Sequence, residues 1–215
     1  QKLSTQPISG VPDTVRKRWS NVQRECCSIV KSELRIKVVE DCKTLNDLSE
    51  QDSPYIDHIY DYCKAQANIM PLERMQGLGT LFSLLSGGIS RVILYNDTHP
   101  DFPLNKVQIE KFMKRYIVMA VLWAFGGAMS LADRNAFCRH LPTLTNEALP
   151  PLDEKSVESG LGGPLIDFDV RADSGEWEKW SEHIGQVELE PQNIPKPDVV
   201  IETVDTYRHS VIIRD

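Results

Sequence analysis

One segment constrains the fold more than any other. From Lys106 to Phe125, apolar side chains occupy more than half the circumference of a helix, through Ile109, Phe112, Tyr116, Met119, Ala120 and Trp123. A surface helix needs only one apolar stripe, so a helix apolar on most sides must be enclosed by others. The chain is therefore expected to be a helical bundle with this segment at its centre. Its most apolar stretch, Tyr116 to Ala128, is far shorter than the roughly 20 residues that span a bilayer. No membrane partner is expected.

Enclosing helices are legible on both sides. After a boundary at Gly10, Val11 and Pro12, apolar residues recur in steps of four and three through Val15, Trp19, Val22, Cys26 and Ile29. This predicts a helix. The pattern continues through Leu34, Val38, Cys42 and Leu45, so one long helix or two joined ones are expected to about Leu48. Asp52 and Ser53 before Pro54 form a start signal, because a short polar side chain satisfies free amides and proline suits the first helical position. Ile56, Ile59, Tyr60 and Cys63 supply the buried face of that helix.

A further helix is expected from Pro71, with Met75, Leu78, Phe82 and Leu85 inward, ending at Gly87 and Gly88, where glycine supplies the left-handed terminus. Ile89 to Tyr95 would be a separate short turn. Gly126 and Gly127 break the central helix, and Ser130 with Asp133 opens a last one to His140.

From Pro142 the composition shifts to proline and glycine, which marks a long loop. Leu165 to Val170 alternates, with Ile166, Phe168 and Val170 on one face and Asp167 and Asp169 on the other, the period of a half-buried strand. Asp173, Ser174 and Gly175 make a turn, and Glu176 to Trp180 returns as partner strand. Gln186 to Glu190 reads as a third extended run before Pro191 to Pro197. The expected fold is mainly α. It comprises an N-terminal helical segment (1–53), a helical lid-like bundle (54–141), a flexible loop (142–163), a β connector (164–190) and an extended C-terminal strap (191–215).

Charge and motif content restrict function. A formal charge of -7 gives no basic footprint for nucleic acid. Cys26, Cys27, Cys42, Cys63 and Cys138 are odd in number and lack paired metal or redox spacing, so they are expected as buried small hydrophobes in a reducing cytosol. Phosphate-loop, zinc-protease, nucleophile-elbow and dinucleotide signatures are all missing from the sequence. Gly160 to Gly163 lacks the lysine and helix of a phosphate cradle and reads as a loop. Asp167 and Asp169 point the same way on a strand, as an acid/base or metal pair would, although the solvated face of a hairpin is the favoured reading. His58, His99, His140, His183 and His209 are scattered. Trp177 and Trp180 are either a partner anchor or the packing of the hairpin on the bundle.

Tyr55 to Gly127 resembles the small helical lid of the second AAA+ module of the cytoplasmic dynein heavy-chain family. Its most distinctive parts are Ile69 to Leu85, the DFPL run at Asp101 to Leu104 and VLWAFGG at Val121 to Gly127. IDFDV at Ile166 to Val170, GEWEKW at Gly175 to Trp180 and PDVVIETVDTYRH at Pro197 to His209 are similar to the connector and the start of the third module. Gln1 to Ser53 carries no such likeness. With no initiator methionine and no signal-peptide core in Gln1 to Gly10, the chain is read as a piece of a longer one.

The resemblance implies a non-catalytic coupling segment whose lid rotates with nucleotide state and moves the next module. No cofactor is expected in the segment alone, and ATP or ADP with magnesium in the whole motor. It implies neighbouring AAA+ modules as partners, a homodimeric parent that binds microtubules and accessory chains, and a cytoplasmic, cytoskeletal location. Val199, Val200 and Ile201 would approach the adenine of the third module, and Thr203 or Asp205 would cap a helix near Tyr207. Arg74 is the one basic residue where such lids place a phosphate-sensing arginine, while Gln76 stands where that arginine was expected. Without the rest of its module, the tail from Val199 to Asp215 is expected to pack poorly or to borrow a crystal or oligomer neighbour. Rival readings are an independent helical adaptor that binds a partner through its tryptophan hairpin, and the lid of the related ring ATPase midasin.

Overall fold

A computed structural model describes residues 13–38, 44–143, 145, 147, 149–150, 164–184 and 203–214. Helix α1 (Asp13–Glu33) is followed by α2 (Leu45–Ser49), α3 (Pro54–Lys64), α4 (Arg74–Thr98), α5 (Lys106–Gly126) and α6 (Leu131–His140). A two-stranded hairpin, β1 (Phe168–Val170) and β2 (Trp177–Lys179), and helix α7 (Val204–Arg214) complete the described elements. The fold is mainly α, as the sequence predicts.

The central helix is enclosed. Phe112, Met113, Tyr116, Met119, Ala120, Leu122 and Phe125 of α5 have no exposed surface, and α1, α3, α4, α6 and the hairpin all pack on it. Its ends are secured by polar groups. Asn105 and Gln108 form a reciprocal capping box at the start, which satisfies amides that have no intrahelical acceptor. At the end, the Arg134 guanidinium donates to the carbonyls of Gly126, Gly127 and Met129.

Helices α4 and α5 form an antiparallel hairpin whose connection is held by the buried Asn96, its Oδ1 accepting from the Leu104 amide at 2.7 Å. Here one expectation fails. Gly87 and Gly88 do not end a helix but lie in the middle of the 25-residue α4, so the short turn expected after them is part of the same helix. A Cβ at Gly88 would fall 2.5 Å from the Tyr116 ring, and one at Gly77 would fall 2.7 Å from Phe125. These glycines admit aromatic rings of α5 rather than a left-handed turn. Helix α4 begins at Arg74, later than expected, and Met75 is 75% exposed rather than inward. By length and composition α4 is apolar enough to cross a membrane, yet it packs along α1, α2 and α5 in the bundle.

The N-terminal stripe also divides. Helix α1 ends at Glu33, and Arg35 adopts a positive φ of 50°. The chain then turns so that the Lys37 amide donates to the Asp52 carbonyl at 2.9 Å. Thr44 caps the short α2, and Ser53 caps α3 by accepting from the Ile56 amide. Ser130 caps α6 as expected.

The connector is less strand-like than its alternation suggests. Pro164–Asp167 is a 3-10 turn, and only three residues on each side pair, Phe168 with Lys179 and Val170 with Trp177. The turn residue Gly175 has φ +65°, and a side chain there would strike the Phe112 backbone at 2.9 Å. Gln186 to Glu190 lies outside the described residues, as does the extended part of the C-terminal strap.

Candidate functional site: a clamped connector on the helical bundle

The hairpin is held on the bundle by cations from two helices. Arg91, in the second half of α4, donates from Nη1 to both carboxylate oxygens of Asp169 at 3.0 and 3.2 Å, and lies 5.3 Å above the Tyr116 ring. Asp169 also accepts from the Val170 amide and is only 8% exposed. A carboxylate so far removed from water requires such charge-assisted bonds.

On α5, Arg115 donates to the Gly175 carbonyl at 2.7 Å and to Glu176 at 2.6 Å, and Lys111 pairs with the same Glu176. Lys111 and Arg115 stand four residues apart and so share one helix face. Their hydrogen bonds, that of Lys111 first, pull the Glu176 carboxyl down from its ordinary value to about 2.

Helix α7 joins the same assembly. Arg208 bonds Asp167 at 3.0 Å, pairs with Asp205 and lies 5.9 Å over the Trp123 ring of α5. Burial raises the Asp167 carboxyl above its ordinary value, outweighing the nearby Arg208. Tyr207 stacks on His183 at 5.6 Å and meets Trp180 edge-on at 6.1 Å, while Val211 is buried. Thr203 caps the helix by accepting from the Thr206 amide, so α7 starts at Val204, three residues before its expected position. The expectation of a poorly packed tail holds in part for this helix: Val211 is buried and Tyr207 and Arg208 have partners in the connector and α5, whereas Ile213 is 84% exposed.

Other candidate residues fall into place around this clamp. Asp167 and Asp169 do not form the solvated face of a hairpin, since each is committed to an arginine. Trp180 is 1% exposed, which places it in the packing of the hairpin and not at a free surface. His58 and His140 approach with ring centroids 6.2 Å apart, but Tyr62 stacks on His140 at 4.3 Å, and no cluster of three metal-ligating side chains occurs among the described residues. Cys26, Cys27, Cys63 and Cys138 are buried, as expected, and Cys42 lies outside the described residues.

Arg74 is at the first position of α4. Its Nη2 lies 2.7 Å and its Nε 3.2 Å from the same Asp57 oxygen, with both side chains part-exposed. Val199, Val200 and Ile201 lie outside the described residues. Among the described residues Arg74 is the one nucleotide contact expected from the sequence, and its guanidinium is held by a carboxylate. The clamp arginines are what motif reading missed. Arg91 is nevertheless the one Lys or Arg between Met75 and Asn105, and an isolated cation in so apolar a helix is a signal for a buried carboxylate partner.

The profile of the dynein heavy chain AAA lid domain matches residues 45–182. The chain is similar to cytoplasmic dynein heavy chains of Fusarium vanettenii (39% identical over 68% of the chain), Neurospora crassa (33% over 79%) and Drosophila melanogaster (33% over 71%). It spans only 3 to 4% of the length of these curated relatives. With most of the helical bundle and the hairpin inside the matched region, the chain belongs to the dynein heavy chain AAA lid domain family.

Proposed function

We propose that this chain is a non-catalytic coupling segment of a dynein motor ring, which passes nucleotide-driven rotation of a helical lid to the next AAA+ module. The observation that carries the proposal is the double clamp, Arg91 on Asp169 and Arg115 on Gly175 and Glu176. A rotation of the α4–α5 pair must then take the connector with it, and through Arg208 also α7. Packed interfaces of this kind move as units rather than deform continuously.

In this reading the bundle is the lid of the second module and α7 lies at the start of the third. Partners are the neighbouring modules of the same heavy chain, and the parent is a homodimeric, cytoplasmic motor on microtubules with accessory chains, driven by ATP with magnesium. Arg74 and Val199 to Ile201 are proposed contacts to nucleotide bound in the modules on either side. Arg74 would have to leave Asp57 to serve.

The test is made in the parent heavy chain. Replacing Arg91 and Arg115 together by alanine is expected to preserve ATP binding while microtubule gliding and microtubule-stimulated hydrolysis are lost together. Unchanged gliding would refute the coupling role. Phosphate release by the purified chain with ATP, above a blank, would refute its non-catalytic nature.

A further inference from the structure

A groove of about 800 Å³ runs along the side of α4, walled by α2 and residues 50–53. Besides Leu45 and Ile56, its apolar lining is Met75, Leu78, Phe82, Ile89 and Ile93 of α4, which spread over about 27 Å of helix at 1.5 Å per residue; Met75 is exposed, Phe82 and Ile93 are half-buried, and Leu78 and Ile89 form the buried floor. Between them stand Gly79, Ser83, Ser86 and Ser90, all exposed. A Cβ at Gly79 would meet nothing within 4 Å. The contrast with the opposite face is informative, since there Gly77 and Gly88 lie against rings of α5. Helix α4 thus presents small residues among apolar ones on two faces, of which one is filled by a helix and the other is open.

The charge on the groove wall selects the occupant. Of the charged lining residues, Arg74 is paired with Asp57, whereas Glu50 and Asp52 form no ion pair among the described residues. A neutral floor of small and apolar side chains under an acidic rim fits the pattern of helix-in-groove recognition, in which an apolar stripe fills the groove and flanking charges set orientation. An anionic membrane surface would be repelled by that rim. A second copy of this chain, with a net charge of -7, is also the wrong sign.

We infer that this groove docks a basic amphipathic helix, with an apolar stripe at helical spacing flanked by Lys or Arg. The inference is independent of the coupling role, because none of the clamp residues lines the groove.

The test uses the 215-residue chain and a fluorescein-labelled helix of Leu and Lys, roughly 18 residues long. A Leu/Glu analogue and a scrambled Leu/Lys peptide of the same composition serve as controls. Fluorescence anisotropy near physiological salt should give a Kd of about 1–10 μM for the Leu/Lys helix. Ser86→Arg, which fills the groove from an exposed position, should weaken binding about tenfold or more. Gly79→Gln should do likewise, and Glu50→Lys with Asp52→Lys should weaken it through charge alone.

Three outcomes would overturn the inference. In the first, the scrambled or Leu/Glu peptide binds equally well. In the second, Ser86→Arg and Gly79→Gln, folded by circular dichroism, leave the Kd unchanged. In the third, the wild-type chain sediments as a dimer that Ser86→Arg disperses, which would assign the groove to a second copy.

Discussion

Two glycines of α4 should respond with opposite sign to the same substitution. Gly→Ala in a helix interior gains about 1 kcal/mol from propensity. At Gly79 nothing lies within 4 Å of the new methyl, so Gly79→Ala should stabilise by about that amount. At Gly88 the methyl would lie 2.5 and 2.6 Å from Cε1 and Cδ1 of Tyr116. That ring is fully buried and held between Phe112, at 5.2 Å between centroids, and the Arg91 guanidinium, so it has nowhere to swing. Overpacking of this kind costs about 1–3 kcal/mol, and the lack of an escape route places Gly88→Ala near the upper end. The net expectation is a loss of about 2 kcal/mol, a gap of about 3 between the variants. At about 2–4 °C per kcal/mol for a chain of this length, Tm should rise by a few degrees for Gly79→Ala and fall by about 4–8 °C for Gly88→Ala. Thermal and urea unfolding followed by circular dichroism at 222 nm measures both. Adding Tyr116→Leu should recover about 1 kcal/mol or more of coupling with Gly88→Ala. Equal shifts for the two alanine variants would show that propensity alone governs these positions and that the close α4–α5 approach is wrong.

The remaining predictions concern the clamp and the thiols. Glu176 has a lowered carboxyl in the folded chain, so its contribution is complete above its ordinary value near 4.5 and is lost as pH falls toward about 2. Exchange protection of residues 168–179, measured against the intrinsic rate at each pH, should fall through that window, and Lys111→Ala should raise the Glu176 titration seen by NMR. Arg208→Ala removes the bond to Asp167 and leaves that half-buried carboxylate without its arginine. Exchange protection in 204–214 should drop by about tenfold or more while α5 keeps its own; unchanged protection would mean that Tyr207 and Val211 hold the helix alone. Burial pushes the Cys26 and Cys63 thiols up to about 12 and those of Cys27 and Cys138 up to about 11. All four should therefore resist Ellman's reagent at pH 8 until denaturant is added, and rapid labelling of any of them in the native chain would contradict its burial.

Helices with strong periodicity and a polar start were legible in the sequence because their signals are local. Ser53 before Pro54 and Ser130 before Asp133 each act within one turn, and the apolar circumference of α5 needs no knowledge of its neighbours. The errors arose where a residue has two uses. Gly87 and Gly88 read as a helix end because glycine often supplies one, and their actual use, admitting Tyr116, is visible only once α5 lies against α4. The stripe through Leu34 and Val38 has helical spacing, but the backbone turns at Arg35 so that Lys37 can bridge to Asp52. Alternation placed Asp169 on the outer face of a strand. Arg91, the one Lys or Arg of α4 after its first residue, draws it inward across 78 positions of sequence, a separation that no local pattern encodes.

The tail shows the same principle with consequences for function. A segment that needs the sheet of another module to complete it should have little to pack against, and that argument holds for strand-forming residues, whose amides require a ladder. A helix satisfies its own backbone, so α7 needs only a receiving surface for one face. Trp180, His183 and Trp123 supply it, and Asp167 supplies the counter-charge for Arg208. The receiving surface belongs mostly to the connector, and the connector is in turn fixed to α4 and α5 by Arg91 and Arg115. In the proposed coupling role, movement of the bundle would reach α7 by two routes, through the hairpin and Asp167 to Arg208, and directly from Trp123 of α5, which meets both Arg208 and His209. The Arg208–Asp167 contact, whose carboxylate is disfavoured by burial, is the weaker link of the first route and should open before the doubly anchored hairpin.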